Sequence, residues 1–206
     1  LALNLARVTE AAALSAGKWL GKGDKNAADG AAVDAMRRMF DTVDIDGTVV
    51  IGEGEIDEAP MLYIGEKIGT KEGEDQVDIA VDPIDGTNSI ANGTDNSIAV
   101  LAVAPKGCLL NAPDIYMDKI ACGPKAKGAI KLDDSPSENV KRVAKALNKN
   151  IEEITVAVLD RPRHEEIIKE IIAVGARVKK VSDGDIVTAI ETCYEDSGID
   201  LVIGRG

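Results

Sequence analysis

Apolar residues recur at helical spacing from the start of the chain: Leu3, Leu5, Ala6, Val8, Ala12, Ala13 and Trp19 predict a helix over residues 3–20, ending near Gly21. A second helix is expected over 25–43. The period then changes. Residues 48–51 and 77–81 are short β-branched runs that stop at Gly or Pro, so each reads as a strand delivering a loop. Further strands are expected over 97–104, 115–122 and 129–132, with Pro105-Lys106-Gly107 turning between the first two. Asp133-Asp134-Ser135-Pro136-Ser137 is polar and turn-rich, suited to cap a helix over 138–147. Beyond it, strand (154–159), helix (163–174), strand (177–181), helix (186–194) and strand (201–203) alternate. That is the βαβ signature of a parallel sheet, with ligands expected at the carboxyl ends of its strands. The pattern predicts an α/β protein with two sheet-containing domains, 1–133 and 134–206.

Acids follow each of the first two strands: Glu53-Gly54-Glu55-Ile56-Asp57-Glu58, then Asp82-Pro83-Ile84-Asp85-Gly86-Thr87. If the strands are neighbours, several carboxylates converge, and at neutral pH they repel one another unless cations sit between them. Carboxylate oxygens are the ligands hard divalent ions prefer, so the arrangement points to a magnesium or manganese site able to hold a phosphate ester. Taken alone, acids in a Gly-containing loop are a solvated surface. Gly52 and Gly54 bracket Glu53 directly after a strand, which lets that side chain turn inward; Glu53 is the strongest candidate of its group and Glu55 the weakest. In the second cluster Pro83 biases Asp82 toward an extended conformation, and Gly86 permits close approach of backbone to ligand. Thr87 is expected to cap a short helix through Asn88, Ser89 and Ile90, whose first amides suit phosphate. The plainer alternative is an Asp-Pro turn with a capped helix.

Lys25 and Asp29 are four apart on the second predicted helix and share a face, in the less favourable order for helix stability, which favours a role beyond a surface pair. Later in the chain, Arg161-Pro162-Arg163-His164 offers two guanidinium forks after a strand. Asp183-Gly184-Asp185 follows the next strand, where carboxylates accept hydrogen bonds from sugar hydroxyls. His164, the only histidine, reads as a helix-start residue without a chemical role. Tyr116 reads equally as a ligand contact and as a packed strand residue.

Composition narrows the picture. Hydrophobic residues make up 45% of the 206 and aromatics only 2%, so the core is built from Ala, Val, Ile and Leu, as suits parallel strands covered by helices. A net charge of -12 excludes general nucleic-acid binding, and a small anionic substrate needs local cations. Cys108, Cys122 and Cys193 are odd in number and widely spaced, which fits reduced thiols in the cytoplasm. The apolar runs are far shorter than a membrane span, and Leu1-Ala2-Leu3-Asn4 lacks the regions of a secretion signal, so cytoplasmic residence without membrane attachment is expected. The chain starts without Met and stops at Ile203-Gly204-Arg205-Gly206, directly after an expected strand; both ends are read as cut.

Taken together, Gly23-Asp24-Lys25-Asn26-Ala27-Ala28-Asp29-Gly30, Ile51-Gly52-Glu53-Gly54-Glu55-Ile56-Asp57-Glu58-Ala59-Pro60, Val81-Asp82-Pro83-Ile84-Asp85-Gly86-Thr87, Asn111-Ala112-Pro113-Asp114-Ile115-Tyr116-Met117 and Arg161-Pro162-Arg163-His164 closely resemble the bacterial class II fructose-1,6-bisphosphatases. The likeness runs over essentially the whole chain, and its long blocks are more specific than the DPxDGT pattern shared by the wider lithium-sensitive phosphatase superfamily. The resemblance implies a layered αβαβα sugar-phosphatase fold, and Mg2+- or Mn2+-dependent hydrolysis of the 1-phosphate of fructose 1,6-bisphosphate, a gluconeogenic step. It implies Asp29, Glu53, Asp82 and Asp85 as metal-binding carboxylates, Thr87 and Asp57 as groups that position or activate the attacking water, and Lys25 as an active-site cation. It implies Gly86, Thr87 and Asn88 as a phosphate seat, and Tyr116, Arg161, Arg163, Asp183 and Asp185 as the substrate-binding set. It further implies a homo-oligomer. The family continues past the last strand with a Gly-Gly-x-Pro-Glu-Gly segment whose Glu is another metal ligand; this sequence stops before it, so the second domain is expected to be C-terminally truncated. The competing readings are a related sugar or inositol phosphatase, acting on sedoheptulose 1,7-bisphosphate or inositol monophosphate, and a truncated non-catalytic protein that binds metal or sugar phosphate.

Overall fold

Helical spacing of small side chains shapes the first part of the chain. Helix α1 (Ala2–Ala16) buries Val8, Ala12 and Ala16, and α2 (Lys25–Phe40) buries Ala28, Ala32, Val33, Met36 and Phe40. Alanines at four-residue intervals allow the two helices to approach closely. The computed structural model describes residues 1–54, 62–70, 75–113 and 115–206, in two units, Leu1–Ile115 and Tyr116–Gly206. In the first unit, β1 (Asp46–Ile51), β2 (Lys67–Ile68), β3 (Gln76–Asp85) and β4 (Ile98–Pro105) form a sheet in the order β2-β1-β3-β4, with α3 (Thr87–Asn92) between β3 and β4. Strands β1 and β3 run parallel; β2 and β4 flank them antiparallel. The aliphatic core of Ile45, Val49, Leu62, Ile68, Ile79, Val81 and Ile84 closes against α1 and α2.

Two expectations shift here. Helix α2 stops at Phe40 rather than Val43, because the Thr42 hydroxyl donates to Met39 O at 2.8 Å and the following turn sends Val43 and Ile45 into the core instead. Strand β3 continues through Asp85, so Asp82 and Asp85 are strand residues and not loop residues. Its register against β4 shifts between Asp82 and Asp85, and Pro83, which has no N–H to donate, sits in that irregularity.

The second unit contains β5 (Asp118–Cys122), α4 (Pro136–Leu147), β6 (Thr155–Leu159), α5 (Glu165–Ala173), β7 (Arg177–Val181), α6 (Asp185–Glu191) and β8 (Leu201–Arg205). The sheet order is β5-β8-β6-β7. Strand β6 is parallel to β7 and β8, as the alternating pattern predicts, while β5 adds an antiparallel edge and makes the sheet mixed. Helix α4 begins at Ser135, whose hydroxyl accepts from Glu138 N at 3.2 Å, with Pro136 in its first turn; Asn148, with φ 53°, closes it.

The strand expected over 129–132 does not form. Asn139, 1% exposed, accepts from Lys131 N at 2.8 Å and donates to Lys131 O at 2.9 Å, so a side chain takes the backbone groups a ladder would need. Because β5 pairs with β8, residues 116–133 lie in the second unit, and the units divide at 115/116 where the sequence placed the boundary at 133/134. Among the described residues no helix is long and apolar enough to cross a membrane. The chain is α/β with two mixed sheets, as the sequence predicts at the level of class.

Candidate functional site

In the first unit, Ile51 of β1 lies opposite Ala80 of β3. Glu53 and Asp82 are each two residues beyond that pair, so the parallel register carries both to the same end of neighbouring strands. The segment leaving β1 has almost no room. A Cβ added to Gly52 would lie 2.1 Å from Leu62 O and 2.7 Å from Val49 Cγ1. That close passage lets Glu53 N donate to Leu62 O at 2.9 Å, and Ile64 N returns a bond to Gly54 O at 2.9 Å. Glycine is required at position 52 by contact and not by an unusual φ.

A charged pair holds this base in place. Glu66, 8% exposed, accepts from Leu62 N and from Arg37 Nε, the latter at 2.6 Å; Arg37 Nη1 also reaches Asp41 at 2.5 Å. Burial works against the charge on Arg37, and its hydrogen bonds to Glu66 and Asp41 outweigh that effect and hold its pKa above the ordinary value. Arg37 lies on α2, the helix that also carries Lys25 and Asp29.

Asp82 Oδ1 accepts from Ile84 N at 3.0 Å, and Asp85 O accepts from Ser97 Oγ at 3.2 Å. Gly86 has φ 96°, and an added Cβ would lie 3.0 Å from Asn96 O, so both conformation and contact call for glycine. Gly86, rather than Thr87, is the cap of α3; Thr87 is its first helical residue, with Asn88 next, because the left-handed turn at Gly86 starts the helix one residue earlier than the sequence suggested. Gly21 N and Gly23 N donate to Ile90 O and Ala91 O at 2.8 and 2.9 Å, tying the approach to α2 against α3. Asp24 caps α2 by accepting from Ala27 N at 2.9 Å. Lys25 is exposed in the first turn, and Asp29 is half-buried one turn on; burial raises the Asp29 carboxyl pKa above its usual range.

Asp57, with Glu55 and Glu58, lies outside the described residues. Among the described residues no group of three or more His, Cys, Asp or Glu side chains stands close enough to hold a metal ion. The donor chemistry nevertheless fits a hard divalent cation: Asp29, Glu53, Asp82 and Asp85 offer oxygen only, and desolvation disfavours the charge on Asp29 in a way a bound cation would reverse.

In the second unit, the sequence-predicted residues gather at the carboxyl ends of parallel strands. Arg161 follows β6, and its Nη1 donates to Ser182 O at 2.8 Å and to Asp160 O at 3.1 Å, while Nη2 pairs with Asp183 Oδ1 at 3.3 Å after β7. Arg163 Nε donates to Arg205 O at 2.8 Å, and its guanidinium lies 4.5 Å from the centre of the Tyr116 ring. Asp185 forms a close ion pair with Lys119 of β5. His164 is fully buried; Nδ1–H donates to Leu159 O at 2.8 Å and Nε2 accepts from Arg205 N at 2.9 Å, fastening the end of β6 to the end of β8. The sequence placed His164 at a helix start, where it stands, and gave no sign of this clamp. Lys119 was not singled out either, since one lysine on an alternating strand looks like any edge charge.

A family model described as bacterial fructose-1,6-bisphosphatase, glpX-encoded, matches residues 1–206. The chain is 58% identical over 206 residues to fructose-1,6-bisphosphatase 1 class 2 of Escherichia coli K12, covering 100% of this chain and 61% of that protein. It is 52% identical over 206 residues to fructose-1,6-bisphosphatase class 2 of Haemophilus influenzae, covering 100% of this chain and 62% of that relative. It is 48% identical over 217 residues to the D-fructose 1,6-bisphosphatase class 2/sedoheptulose 1,7-bisphosphatase of Synechocystis, covering 100% and 63%. The chain thus spans about six-tenths of the length of these curated relatives.

Proposed function

The chain belongs to the bacterial class II fructose-1,6-bisphosphatase family, and on that footing we propose that it carries the metal- and sugar-binding residues of a phosphatase that converts fructose 1,6-bisphosphate to fructose 6-phosphate and phosphate. The observation that carries the reading is the parallel register of β1 and β3, which sets Glu53 and Asp82 at adjoining strand ends. In this reading Asp29, Glu53, Asp82 and Asp85 hold Mg2+ or Mn2+. Such an ion, when bound, polarises the phosphoryl group and acidifies a water. Thr87 and Asp57 orient the attacking water, Lys25 offsets negative charge near the phosphoryl oxygens, and Gly86 and Asn88 complete the phosphate seat with Thr87. In the second unit Arg161 and Arg163 bind anionic oxygens, Asp183 and Asp185 accept from sugar hydroxyls, and Tyr116 supports the Arg163 guanidinium. Phosphoryl transfer needs little covalent chemistry from protein; positioning and charge stabilisation supply the rate. The same reading has the protein act in the cytoplasm as a homo-oligomer.

A second substrate follows from one observation, the double name of the Synechocystis relative: sedoheptulose 1,7-bisphosphate differs by one carbon unit and keeps a phosphate at each end. Phosphate release from fructose 1,6-bisphosphate, sedoheptulose 1,7-bisphosphate and inositol monophosphate, each with Mg2+ or Mn2+, tests the reading. The account expects the ketose bisphosphates to be preferred. Preferred turnover of inositol monophosphate would overturn it, and calorimetric binding of fructose bisphosphate without phosphate release would identify a binding protein.

A further inference from the structure

A cavity of about 250 Å³ opens in the second unit at the amino ends of β6 and β8, the opposite end of these parallel strands from Arg161 and Arg163. Three turns build it. After β5, Gly123 caps a short turn, Pro124–Ala126, that presses on the end of α6; a Cβ added to Gly123 would lie 2.1 Å from Thr192 O. Helix α4 closes at Asn148, and Lys149 N donates to Ala144 O at 3.0 Å, which brings Leu147 and Lys149 to the cavity wall. Before β8, Asp200 N donates to Thr155 O at 3.0 Å and Asp200 Oδ2 accepts from Thr155 N at 2.9 Å, fixing Asp200 against the first residue of β6.

Lys125, Lys149, Glu195 and Asp200 are the charged residues of the wall, so its formal charge is zero. Their two ion pairs differ. Lys149 Nζ meets Asp200 Oδ1 at 2.6 Å, and the Asp200 side chain, 10% exposed, also holds the Thr155 amide, so that pair belongs to the frame. Lys125 Nζ meets Glu195 Oε1 at 2.6 Å with the side chains 66% and 79% exposed, and two ions so well solvated part easily. Thr192, 8% exposed, also lines the cavity, and among the described residues no N–H or O–H reaches its carbonyl oxygen. A covered carbonyl without a donor is uncommon in folded proteins. Pro124, Ala126, Leu147 and Ile199 add apolar wall around these polar groups, the mixture that small-molecule sites present.

We propose that this cavity binds an α-amino acid with an apolar side chain. A lone anion would satisfy Lys125 and strand Glu195, and a lone cation would do the reverse. A zwitterion does neither. Its carboxylate takes Lys125, its ammonium takes Glu195 and supplies a donor to Thr192 O, and its side chain covers Leu147 and Ile199. An α-amino acid carries both charges on one head group, close enough together to enter a single opened ion pair. No covalent step is involved, and the site is independent of the phosphatase reading.

The test titrates L-leucine into the full-length protein by saturation-transfer NMR, beside 4-methylpentanoate, which lacks the ammonium, 3-methylbutylamine, which lacks the carboxylate, and glycine, which lacks the side chain. Leucine should bind saturably, and each of the three analogues at least about tenfold more weakly. Lys125→Gln and Glu195→Gln, both at exposed positions, should each weaken leucine binding about fivefold or more. Lys127→Gln, at an exposed neighbour outside the cavity, should leave it unchanged. Absence of saturable leucine binding in the parent, an analogue that matches leucine, undiminished affinity in either Lys125→Gln or Glu195→Gln, or an equal loss in Lys127→Gln overturns the assignment.

Discussion

Replacing Gly52 with alanine adds one methyl group where the chain leaves β1 toward Glu53. The new Cβ would start 2.1 Å from Leu62 O, so the two segments must separate by about 0.9 Å to reach the 3.0 Å that real contacts respect, and Val49 Cγ1 at 2.7 Å must give as well. Overpacking of this kind costs about 1–3 kcal/mol. The separation also breaks the bond from Glu53 N to Leu62 O, now 2.9 Å, which is worth about 1 kcal/mol. Together the loss should be about 2–4 kcal/mol. Gly30 is the internal control. It sits exposed in the middle of α2 with nothing within 4 Å of an added Cβ, so Gly30→Ala should stabilise by about 0.5–1 kcal/mol through helix propensity. Trp19, the single tryptophan, packs on the core of the first unit, so its fluorescence in a urea titration reports on that unit. With m of about 1–3 kcal/mol per M, the midpoint should fall by roughly 1–2 M for Gly52→Ala and rise slightly for Gly30→Ala. Equal midpoints for Gly52→Ala and the parent would show that the segment does not need this close passage, and the account of how Glu53 is positioned would fail.

Other perturbations probe separate parts of the account. Asp29→Asn should stabilise the metal-free protein at neutral pH, because burial penalises the carboxylate. With the folded pKa raised, the parent loses stability as pH rises from the ordinary aspartate range through the raised value, so the advantage of the variant should grow across that window and vanish at its acid end. Urea midpoints from pH 3 to 7 check this, and a constant difference would contradict it. His164→Ala should cost about 3 kcal/mol by opening a cavity and leaving Leu159 O and Arg205 N without their partner; far-UV circular dichroism of the unfolding transition reads it, and a loss below 1 kcal/mol would deny the clamp.

Much of the architecture is legible in the residue pattern, because it rests on local rules. Ser135-Pro136 marks the start of α4 as its chemistry requires, and the alternation after residue 150 yields the three parallel strands of the second sheet. Where the pattern misleads, a long-range partner decides. The β-prone run at 129–132 loses its backbone groups to Asn139, and β5 joins the second sheet because β8, about eighty residues later, pairs with it. The acids at Glu53, Asp82 and Asp85 are visible from their positions after apolar runs, yet the reason Gly52 precedes Glu53 appears only with Leu62 O in place. Lys119 and His164 carry little local signal, since Lys119 meets Asp185, 66 residues on, and His164 reaches Leu159 nearby but closes its clamp only on Arg205, 41 residues on.

The central claim is that Asp29, Glu53, Asp82 and Asp85 grip a divalent ion that acts on a sugar phosphate. A calorimetric titration of the full-length protein with Mn2+, alongside its Asp82→Asn variant, tests it most directly. The account predicts saturable binding by the parent and a loss of affinity of about a hundredfold or more in a variant that keeps its circular dichroism spectrum. Undiminished Mn2+ affinity in a folded Asp82→Asn protein would contradict it.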